Sequence, residues 1–278
     1  VRDVAYQQDA SRSDLSQGFI TSDEEYVARL AEKAIEMQAY PSNEIPAGFP
    51  SALDGIMAAL LLGLTAPLML IIALLVRLDS PGPALFRQVR IGQNRRHPTS
   101  NQLDLDQHHN GLEPCAQGRR EQDSLGRLFV FYKFRTMRHN SRELYPHLYN
   151  FERKEGTLSD LHLAMPNDPR VTRLGHFLRR TSLDELPNLF NILKGDMAFV
   201  GPRPELPDVA KYYKQWQKLK FKVKPGLTGK AQVSGRGFLS FEETIIYDVE
   251  YVLERSFWTD LRLLWKTVYA LVRGIGAF

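Results

Sequence analysis

The chain has 278 residues, of which 43% are hydrophobic and 24% are charged, so it can form one good-sized domain with additions. Cys115 is the single cysteine, which excludes an intrachain disulfide and favours a reducing compartment. Residues 1–53 carry four Lys/Arg and nine Asp/Glu, which leaves 32 of the 36 basic and 23 of the 32 acidic side chains for the remainder. This remainder is therefore basic and is expected to meet phosphates, acidic lipid headgroups or nucleic acid.

The N-terminal region, residues 1–48, is predicted to be an acidic arm with one helix. Residues 1–22 are polar and show no secretory signal. The stretch from Ser22 to Tyr40 has a capping serine, acids in its first turn and apolar residues at helical spacing, and a proline-rich stretch ends it. The sequence assigns no function to this arm.

The most apolar run, Ile56 to Val76, contains 21 residues and no charge. As a helix it would be ~32 Å long, about the thickness of one hydrocarbon core. A helix at the surface of a soluble core would show a polar face, and this run shows none. We therefore predict that residues 49–79 form a membrane helix rather than a buried core helix.

Pro67 lies in the middle of this segment, where it removes one backbone hydrogen bond and kinks the helix. One interpretation is a kinked helix that spans the membrane, since membrane helices tolerate proline. The other is a re-entrant helix, which bends back at Pro67 to the face by which it entered. Basic residues flank mainly the C-terminal side, from Arg77 on. The residues alone support both interpretations equally.

Two runs after the membrane segment, Ala84 to Ile91 and residues 127–137, are predicted to be strands of a small hairpin. The polar residues 93–125 between them are predicted to form a long inserted loop. The histidines and the cysteine of this loop match no regular zinc spacing, so we predict a solvated loop rather than a metal site. These residues are His97, His108, His109 and Cys115.

Two adjacent carboxylates, Asp184 and Glu185, lie before an apolar helix pattern that begins at Leu186. Ser182 could start this helix with a capping box, but Pro187 would then lie past the first turn, so we favour Asp184 as the N-cap. The helix dipole and the preceding arginines, Arg179 and Arg180, would then keep the Asp184 carboxylate ionised.

An ionised carboxylate amid positive charge can attack an anionic electrophile, and phosphate is such an electrophile. Glu185 projects about 100° further around the helix, where it could hold a divalent cation. The alternative is that an Asp-Glu pair at this place is only a helix cap.

Cations in three further segments favour the phosphate interpretation, because they lie beside turn or strand residues. Arg203 stands between two prolines, which present its guanidinium on a stiff backbone suited to bidentate phosphate contact. Glycines around Lys230 could also expose backbone amides to an anion. The candidates are Lys133, Arg135, Arg138, Arg203, Lys224, Lys230 and Arg236.

Residues 211–224 interleave six lysines with four aromatic residues, a composition that suits either a single-stranded nucleic-acid platform or a helix on anionic lipid. The membrane segment makes lipid the favoured partner. The last run, from Ser256, shows an apolar stripe through Phe257, Trp265 and Val268. It is predicted to be an amphipathic helix in the membrane interface, and the alternative is a helix packed on the core.

The sequence resembles the bacterial sugar transferase family, which comprises monotopic phosphoglycosyl transferases, also called polyprenyl-phosphate sugar-1-phosphate transferases. The resemblance covers roughly residues 50–278, apart from the inserted loop and parts of 140–165. Five motifs carry it in chain order: DSPGPALFRQVRIG, YKFRTM, DPRVTRLGHFLRRTSLDELPNLFNILKGDMAFVGPRPE, VKPGLTGKAQVSGRG and SFWTDLRLLWKTVYALVRGIGAF. The Leu-Asp-Glu-Leu-Pro and Gly-Pro-Arg-Pro motifs are the most specific of them.

The resemblance implies transfer of a sugar 1-phosphate from a UDP-sugar to undecaprenyl phosphate, a polyprenyl phosphate, with release of UMP. Such a reaction commits the sugar to the membrane as the first step of bacterial glycan assembly. Asp184 would be the nucleophile, and Glu185 would bind Mg²⁺. The basic residues implied in substrate binding are Lys133, Arg135, Arg180, Arg203 and Arg236.

The implied fold is mainly α with a small β-hairpin, in a monotopic membrane protein with interfacial amphipathic helices. The helix at 49–79 would be re-entrant and broken at Pro67, and residues 80–278 would form a catalytic domain on the cytosolic side of the bacterial inner membrane. The implied partners are the lipid bilayer, downstream glycosyltransferases and a second copy in a homodimer, without nucleic acid. The rival hypothesis is a basic membrane-associated protein that binds nucleic acid or lipid without catalysis.

The sequence departs from the family pattern just before the membrane helix. Family members carry basic residues there, whereas the stretch GFPSALD has none.

Overall fold

The computed structural model describes residues 24–40, 44–94, 125–149, 168–235 and 239–273. These residues are mainly helical, as predicted, with two small sheets. The α-helices are α1 (Glu24–Gln38), α2 (Ser51–Asp79), α3 (Ser141–Leu144), α4 (Arg173–Thr181), α5 (Asn188–Leu193), α6 (Pro207–Ala210), α7 (Lys230–Gly235), α8 (Phe241–Leu253) and α9 (Phe257–Arg273). Short 3-10 helices lie at Pro146–Tyr149, Leu183–Glu185 and Gln215–Lys222.

The predicted hairpin strands pair as expected. Strands β1 (Leu85–Ile91) and β2 (Leu128–Phe134) are antiparallel, with Leu85 opposite Phe134 and Ile91 opposite Leu128. A second sheet, which the sequence analysis did not predict, pairs the three-residue strands β3 (Ala198–Val200) and β4 (Gly226–Thr228) in parallel. Most of the inserted loop, with its histidines and Cys115, lies outside the described residues.

The predicted N-terminal helix is present as α1 and is docked on the body of the protein. Leu30 and Ala34 are buried in the main core. The Tyr26 hydroxyl donates to the Glu250 carboxylate of α8. The Ser22 cap lies outside the described residues. The helix of the arm is therefore part of the folded body.

Helix α2 is, within the described ranges, the one helix long and apolar enough to cross a membrane. Leu64 and Leu70 in its middle are 78% and 73% exposed. The helix continues on both sides of Pro67, so the predicted break is not an interruption of the helix. The Thr65 hydroxyl donates to the Leu61 carbonyl at 2.7 Å, one turn earlier.

Both ends of α2 are held by the same body. Near the start, the Asp54 carboxylate accepts from the Phe199 backbone N–H at 3.1 Å. Lys224 donates to the Ser51 hydroxyl at 3.1 Å. A cation from a distant segment therefore lies beside the GFPSALD stretch, which has no basic residue of its own. At the far end, the Arg135 guanidinium donates to three backbone carbonyls in the last turn of α2 and just after it, where helical N–H donors run out.

The carbonyls that Arg135 reaches belong to Val76, Ser80 and Pro81, at 3.2, 2.6 and 2.5 Å respectively.

Two of the four rings in the lysine-rich segment 211–224 are not available for the stacking that nucleic-acid binding requires, whereas Tyr212 is exposed. Tyr213 and Phe221 are buried in the core, and Lys220 is buried with them. Residues Gln215–Lys222 form a 3-10 helix that packs against α1 and α8. The burial of these two rings and of Lys220 disfavours the interpretation of this segment as a single-stranded nucleic-acid platform.

Helix α9 turns its aromatic stripe outward, with Trp258 and Trp265 being 71% and 73% exposed. The opposite face holds the helix on the body through buried Leu263 and Asp260. The Asp260 carboxylate accepts from the Phe49 backbone N–H and from the Tyr251 hydroxyl, each at 2.7 Å. The helix is thus packed on the core, as the alternative expected, but through the face opposite the stripe, and Trp265 and Val268 of the stripe remain exposed.

Candidate active site

The Asp-Glu pair lies in a turn, not at the start of a long helix. Helix α4 ends at Thr181, and its C-cap Ser182 adopts the left-handed conformation with φ 58°. Leu183–Glu185 then form one 3-10 turn, and α5 starts only at Asn188. Pro187 lacks a backbone N–H, which favours a start of the α-helix after it. Asp184 as the N-cap and the Ser182 capping box are therefore both wrong, and the helix-dipole argument for Asp184 is lost.

Asp184 is nevertheless enclosed among charged groups. Its side chain is buried, with 5% of the residue exposed, and Glu185 is half-buried. Burial lowers the pKa of Lys133, while the nearby carboxylates of Asp184 and Glu185 oppose that shift and Arg179 and Arg203 add to it. The structure thus brings Lys133 and Arg203 together with the Asp-Glu pair, as the sequence analysis expected.

The register of the hairpin explains why Lys133 faces this cluster. Lys133, Phe131 and Phe129 alternate onto one face of β2, with Arg90 of β1 on the same face opposite Phe129. Asn191 fixes the distance between α5 and β2. Its side-chain amide donates to the Val130 carbonyl at 2.7 Å and accepts from the Tyr132 N–H at 3.3 Å. One side chain therefore joins the helix after the Asp-Glu turn to the strand that carries Lys133.

Arg203 is exposed at the tip of the Gly-Pro-Arg-Pro segment, which packs on the end of β1. The Ile91 N–H donates to the Glu205 carbonyl at 2.9 Å, and Arg90 donates to the Pro204 carbonyl at 3.1 Å. Burial and the neighbouring Arg203 lower the pKa of Arg90 to about 10, against the opposing carboxylates of Glu205 and Glu185. Arg90 was missed by the sequence analysis, although it lies within the first motif of the resemblance.

A cluster of buried charged side chains lies next to the Gly-Pro-Arg-Pro segment and includes Glu205, which follows it directly. The Lys220 ammonium lies 2.7 Å from the Asp248 carboxylate and 3.6 Å from that of Glu205. The Tyr213 hydroxyl donates to Glu205 at 2.6 Å. Burial raises the pKa of Asp248, and Lys220 opposes the shift. Lys220 therefore neutralises the buried carboxylates beside the Gly-Pro-Arg-Pro segment, which we call the Arg203 segment.

Three of the predicted substrate-binding cations lie elsewhere or outside the described residues. Arg135 is engaged by the end of α2, as described above, so its contacts are structural. Arg180 is exposed at the end of α4, and Arg236 lies outside the described residues. Arg179, the residue before Arg180, faces the cluster instead and donates to the Thr136 hydroxyl at 3.0 Å.

A pocket opens between Glu185 and Arg203, and some of the polar side-chain atoms that line it have no hydrogen-bond partner among the described residues. Asn188 is 0% exposed, and neither atom of its side-chain amide has a hydrogen-bond partner within the described part of the chain. The amide oxygen of Gln232 in the same pocket also has none there. Buried polar groups are normally paired, so these atoms indicate a place for a polar ligand.

The pocket fits a divalent cation by its donor types. Carboxylate and amide oxygens are the protein ligands that Mg²⁺ accepts, and Glu185, Asn188 and Gln232 supply both kinds. Over the described ranges, no cluster of three or more His, Cys, Asp or Glu side chains could hold a metal. A cation here would therefore need phosphate oxygens or water to complete its shell.

The sequence model of a family described as bacterial sugar transferase matches residues 47–100 and 115–274. A UDP-glucose:undecaprenyl-phosphate glucose-1-phosphate transferase of Caulobacter vibrioides is 36% identical over 234 residues, which cover 81% of this chain and 70% of that protein. Helix α1 precedes the matched residues.

Two other relatives are longer than this chain, which matches only part of each. An undecaprenyl-phosphate galactose phosphotransferase of Salmonella typhimurium is 39% identical over 165 residues, 59% of this chain and 35% of that protein. Galactosyl transferase CpsE of Streptococcus agalactiae is 35% identical over 197 residues, 70% of this chain and 36% of that protein. The matched part is thus about a third of the length of these two relatives.

Proposed function

The chain belongs to the bacterial sugar transferase family, and from this premise we propose that it transfers a sugar 1-phosphate from a UDP-sugar to undecaprenyl phosphate and releases UMP. The product would be the lipid-linked sugar on which later glycosyltransferases build a glycan. The observation that carries the proposal is the buried Asp184 carboxylate beside Glu185 and Lys133, with Arg179 and Arg203 close by. The names of the relatives support the class of donor and acceptor.

The proposed chemistry has two displacements at one phosphorus. The Asp184 carboxylate attacks the β-phosphorus of the donor, a new O–P bond forms, and the P–O bond to UMP breaks with its electron pair leaving on UMP. An oxygen of the acceptor phosphate then attacks the same phosphorus, which transfers the sugar phosphate and restores the carboxylate. Lys133 and Arg203 stabilise the negative charge on the phosphate oxygens in both steps.

The direct test measures UMP release. The purified full chain in detergent would be incubated with undecaprenyl phosphate and a panel of UDP-sugars, including UDP-glucose and UDP-galactose. We expect at least one donor to give UMP release that depends on undecaprenyl phosphate. Release of UDP rather than UMP would show sugar transfer instead of sugar-phosphate transfer and would contradict the proposal.

We also propose that Glu185 holds Mg²⁺, with the amide oxygens of Asn188 and Gln232 lining the same pocket. When bound, the cation would supply charge neutralisation on the diphosphate. We expect Glu185→Gln to lower UMP release by about 10²-fold or more and to weaken Mn²⁺ binding, measured by electron paramagnetic resonance with UDP present. Glu242→Gln, an exposed acid of α8, is the matched control. Unchanged Mn²⁺ affinity in Glu185→Gln would show that Glu185 is not a ligand of the cation.

For topology, we propose that α2 is re-entrant in the bacterial cytoplasmic membrane and that the catalytic body faces the cytosol. The contacts at both ends of α2 support this, because Phe199 and Arg135 belong to one body. A spanning helix would place its ends on opposite sides of a hydrocarbon core of about 30 Å. The outward Trp258 and Trp265 suit the interfacial layer of the same membrane face.

Cysteine accessibility tests this topology. Single cysteines at Glu44 and Ser80, each in a Cys115→Ser background, should both resist a membrane-impermeant thiol reagent in intact cells. Permeabilised cells provide the control, in which both positions should react. Reaction of the cysteine at position 44 alone in intact cells would establish a spanning helix.

A further inference from the structure

A second cleft opens where α2 ends, and it shares no lining residue with the pocket between Glu185 and Arg203. Its volume is about 570 Å³, which is within the usual size of small-ligand sites. One wall is the end of α2, Asp79–Pro81. The other wall consists of residues 138–140, after β2, and residues 171–173, at the start of α4. We call this space the helix-end cleft.

Backbone hydrogen bonds hold the second wall in one piece. The Arg138 N–H donates to the Arg170 carbonyl, and the Thr172 N–H donates to the Thr136 carbonyl, each at 3.0 Å. Met137 and Val171 form an isolated β-bridge between the same two segments. Arg138 and Arg173 are therefore held in one wall by main-chain bonds.

The turn after α2, at Gly82, connects the two walls of the helix-end cleft. Gly82 has φ +115°, a conformation that favours glycine. A Cβ there would lie 2.9 Å from Arg135 Nη1 and from the His139 ring. The turn is thus packed against His139, and a larger residue would force the walls of the helix-end cleft apart.

The charge of the cleft is positive. The Arg138 and Arg173 side chains are exposed and have no acidic partner within the described ranges. Asp168, the nearest acid in sequence to Arg173, is already paired with Arg170 at 2.7 Å. Asp79 is the acid in the cleft wall, and its charge also acts on Arg135. Two guanidinium groups therefore remain available for an anion.

Exposed apolar side chains lie next to the lining residues along the chain. Leu78, one residue before Asp79, is strongly exposed, and Phe177, one turn after Arg173, is also exposed. Leu144 of α3 adds a further exposed apolar side chain just after residues 138–140. On the proposed topology, in which α2 lies in the membrane, its end marks the level at which lipid headgroups lie. The cleft thus combines cations at headgroup level with an apolar rim.

We propose that the helix-end cleft binds the phosphate headgroup of a membrane lipid through Arg138 and Arg173. Guanidinium groups match phosphate oxygens in bidentate contacts, and the apolar rim accepts the first part of the lipid chains. The phosphate could belong to a bilayer phospholipid or to a polyprenyl phosphate. Arg173 lies six residues before Arg179 on α4, about 9 Å along the helix, so a lipid held here is near the charged cluster of Asp184.

Native mass spectrometry of the detergent-solubilised full chain tests this site. The protein would be titrated separately with phosphatidylglycerol, undecaprenyl phosphate, and a diacylglycerol that has the same chains as the first lipid but no phosphate. We expect wild type to retain at least one phosphate lipid and to prefer it to diacylglycerol. The Arg138→Gln/Arg173→Gln variant should lose affinity for that lipid by about tenfold or more.

Arg77→Gln is the matched control, because Arg77 is exposed on the same end of α2 but does not line the cleft. A loss of phosphatidylglycerol alone would assign the cleft to bilayer lipid, and a loss of undecaprenyl phosphate would assign it to the acceptor. Unchanged affinity for both lipids overturns the site. An equal loss in Arg77→Gln also overturns it, since net charge would then explain the binding. The readout is lipid retention, so it does not depend on the proposed transfer activity.

Discussion

Replacement of Asp184 by asparagine is expected to abolish sugar-phosphate transfer, with a loss of at least about 10⁴-fold in turnover. The side chain keeps its size in a buried position, but an amide oxygen cannot form the acyl phosphate. When wild-type enzyme is incubated with a UDP-sugar labelled in the sugar and without acceptor, label should remain on the protein. The variant should retain none.

Asp208→Asn is the control for this experiment, because Asp208 is an exposed acid in the first turn of α6. It should label like wild type. Equal thermal denaturation of all three proteins would exclude a folding defect. Should Asp184→Asn carry as much label as wild type, another residue must be the nucleophile.

The largest stability effect is expected from Lys220→Met. Lys220 is buried and pairs with the buried carboxylate of Asp248 at 2.7 Å. Removal of one partner leaves an uncompensated charge, which typically lowers the free energy of unfolding by about 3–5 kcal/mol. In a chain of this size the melting temperature should fall by roughly 6–20 °C, which thermal denaturation in detergent would measure.

Two companion variants locate the cause of that loss. Lys218→Met changes a half-buried lysine two residues away and should leave the melting temperature nearly unchanged. Lys220→Met/Asp248→Leu removes both charges and should recover part of the stability. If Lys220→Met has the same melting temperature as wild type, the ion pair contributes nothing to the free energy of unfolding. Other contacts would then hold the Arg203 segment.

The sequence predicted best the elements whose signals are local and periodic. The uncharged run of α2, the alternating strands β1 and β2 and the apolar stripe of α9 were each expected within a few residues of their observed bounds. These patterns report burial or exposure along one element, and that is what decides the structure of the element. The turn at Asp184 was not predicted, because Pro187 and the left-handed Ser182 change the backbone within one turn.

The roles of the cations could not be read from the sequence, because their partners are distant along the chain. Arg135 looked like a phosphate ligand, yet it meets carbonyls about 55 residues earlier. Lys220 looked like one of six surface lysines, yet Glu205 and Asp248 surround it in the core. Asn191 carried no signal at all, although its amide joins α5 to β2. The charged cluster around Asp184 was predicted as a group, and of the two preceding arginines it is Arg179 rather than Arg180 that faces it, with Arg203 close by.

The attachments at the two ends of α2 have a consequence for biosynthesis. Arg135 is made 55 residues after Ser80, and Phe199 is made 145 residues after Asp54. At ordinary translation speeds, the second interval lasts about 7–30 s. In the membrane arrangement proposed above, the apolar segment thus leaves the ribosome and meets lipid before either attachment exists. These contacts can therefore retain the inserted helix but cannot direct its insertion, and a weakened attachment would act on the finished protein rather than on the nascent chain.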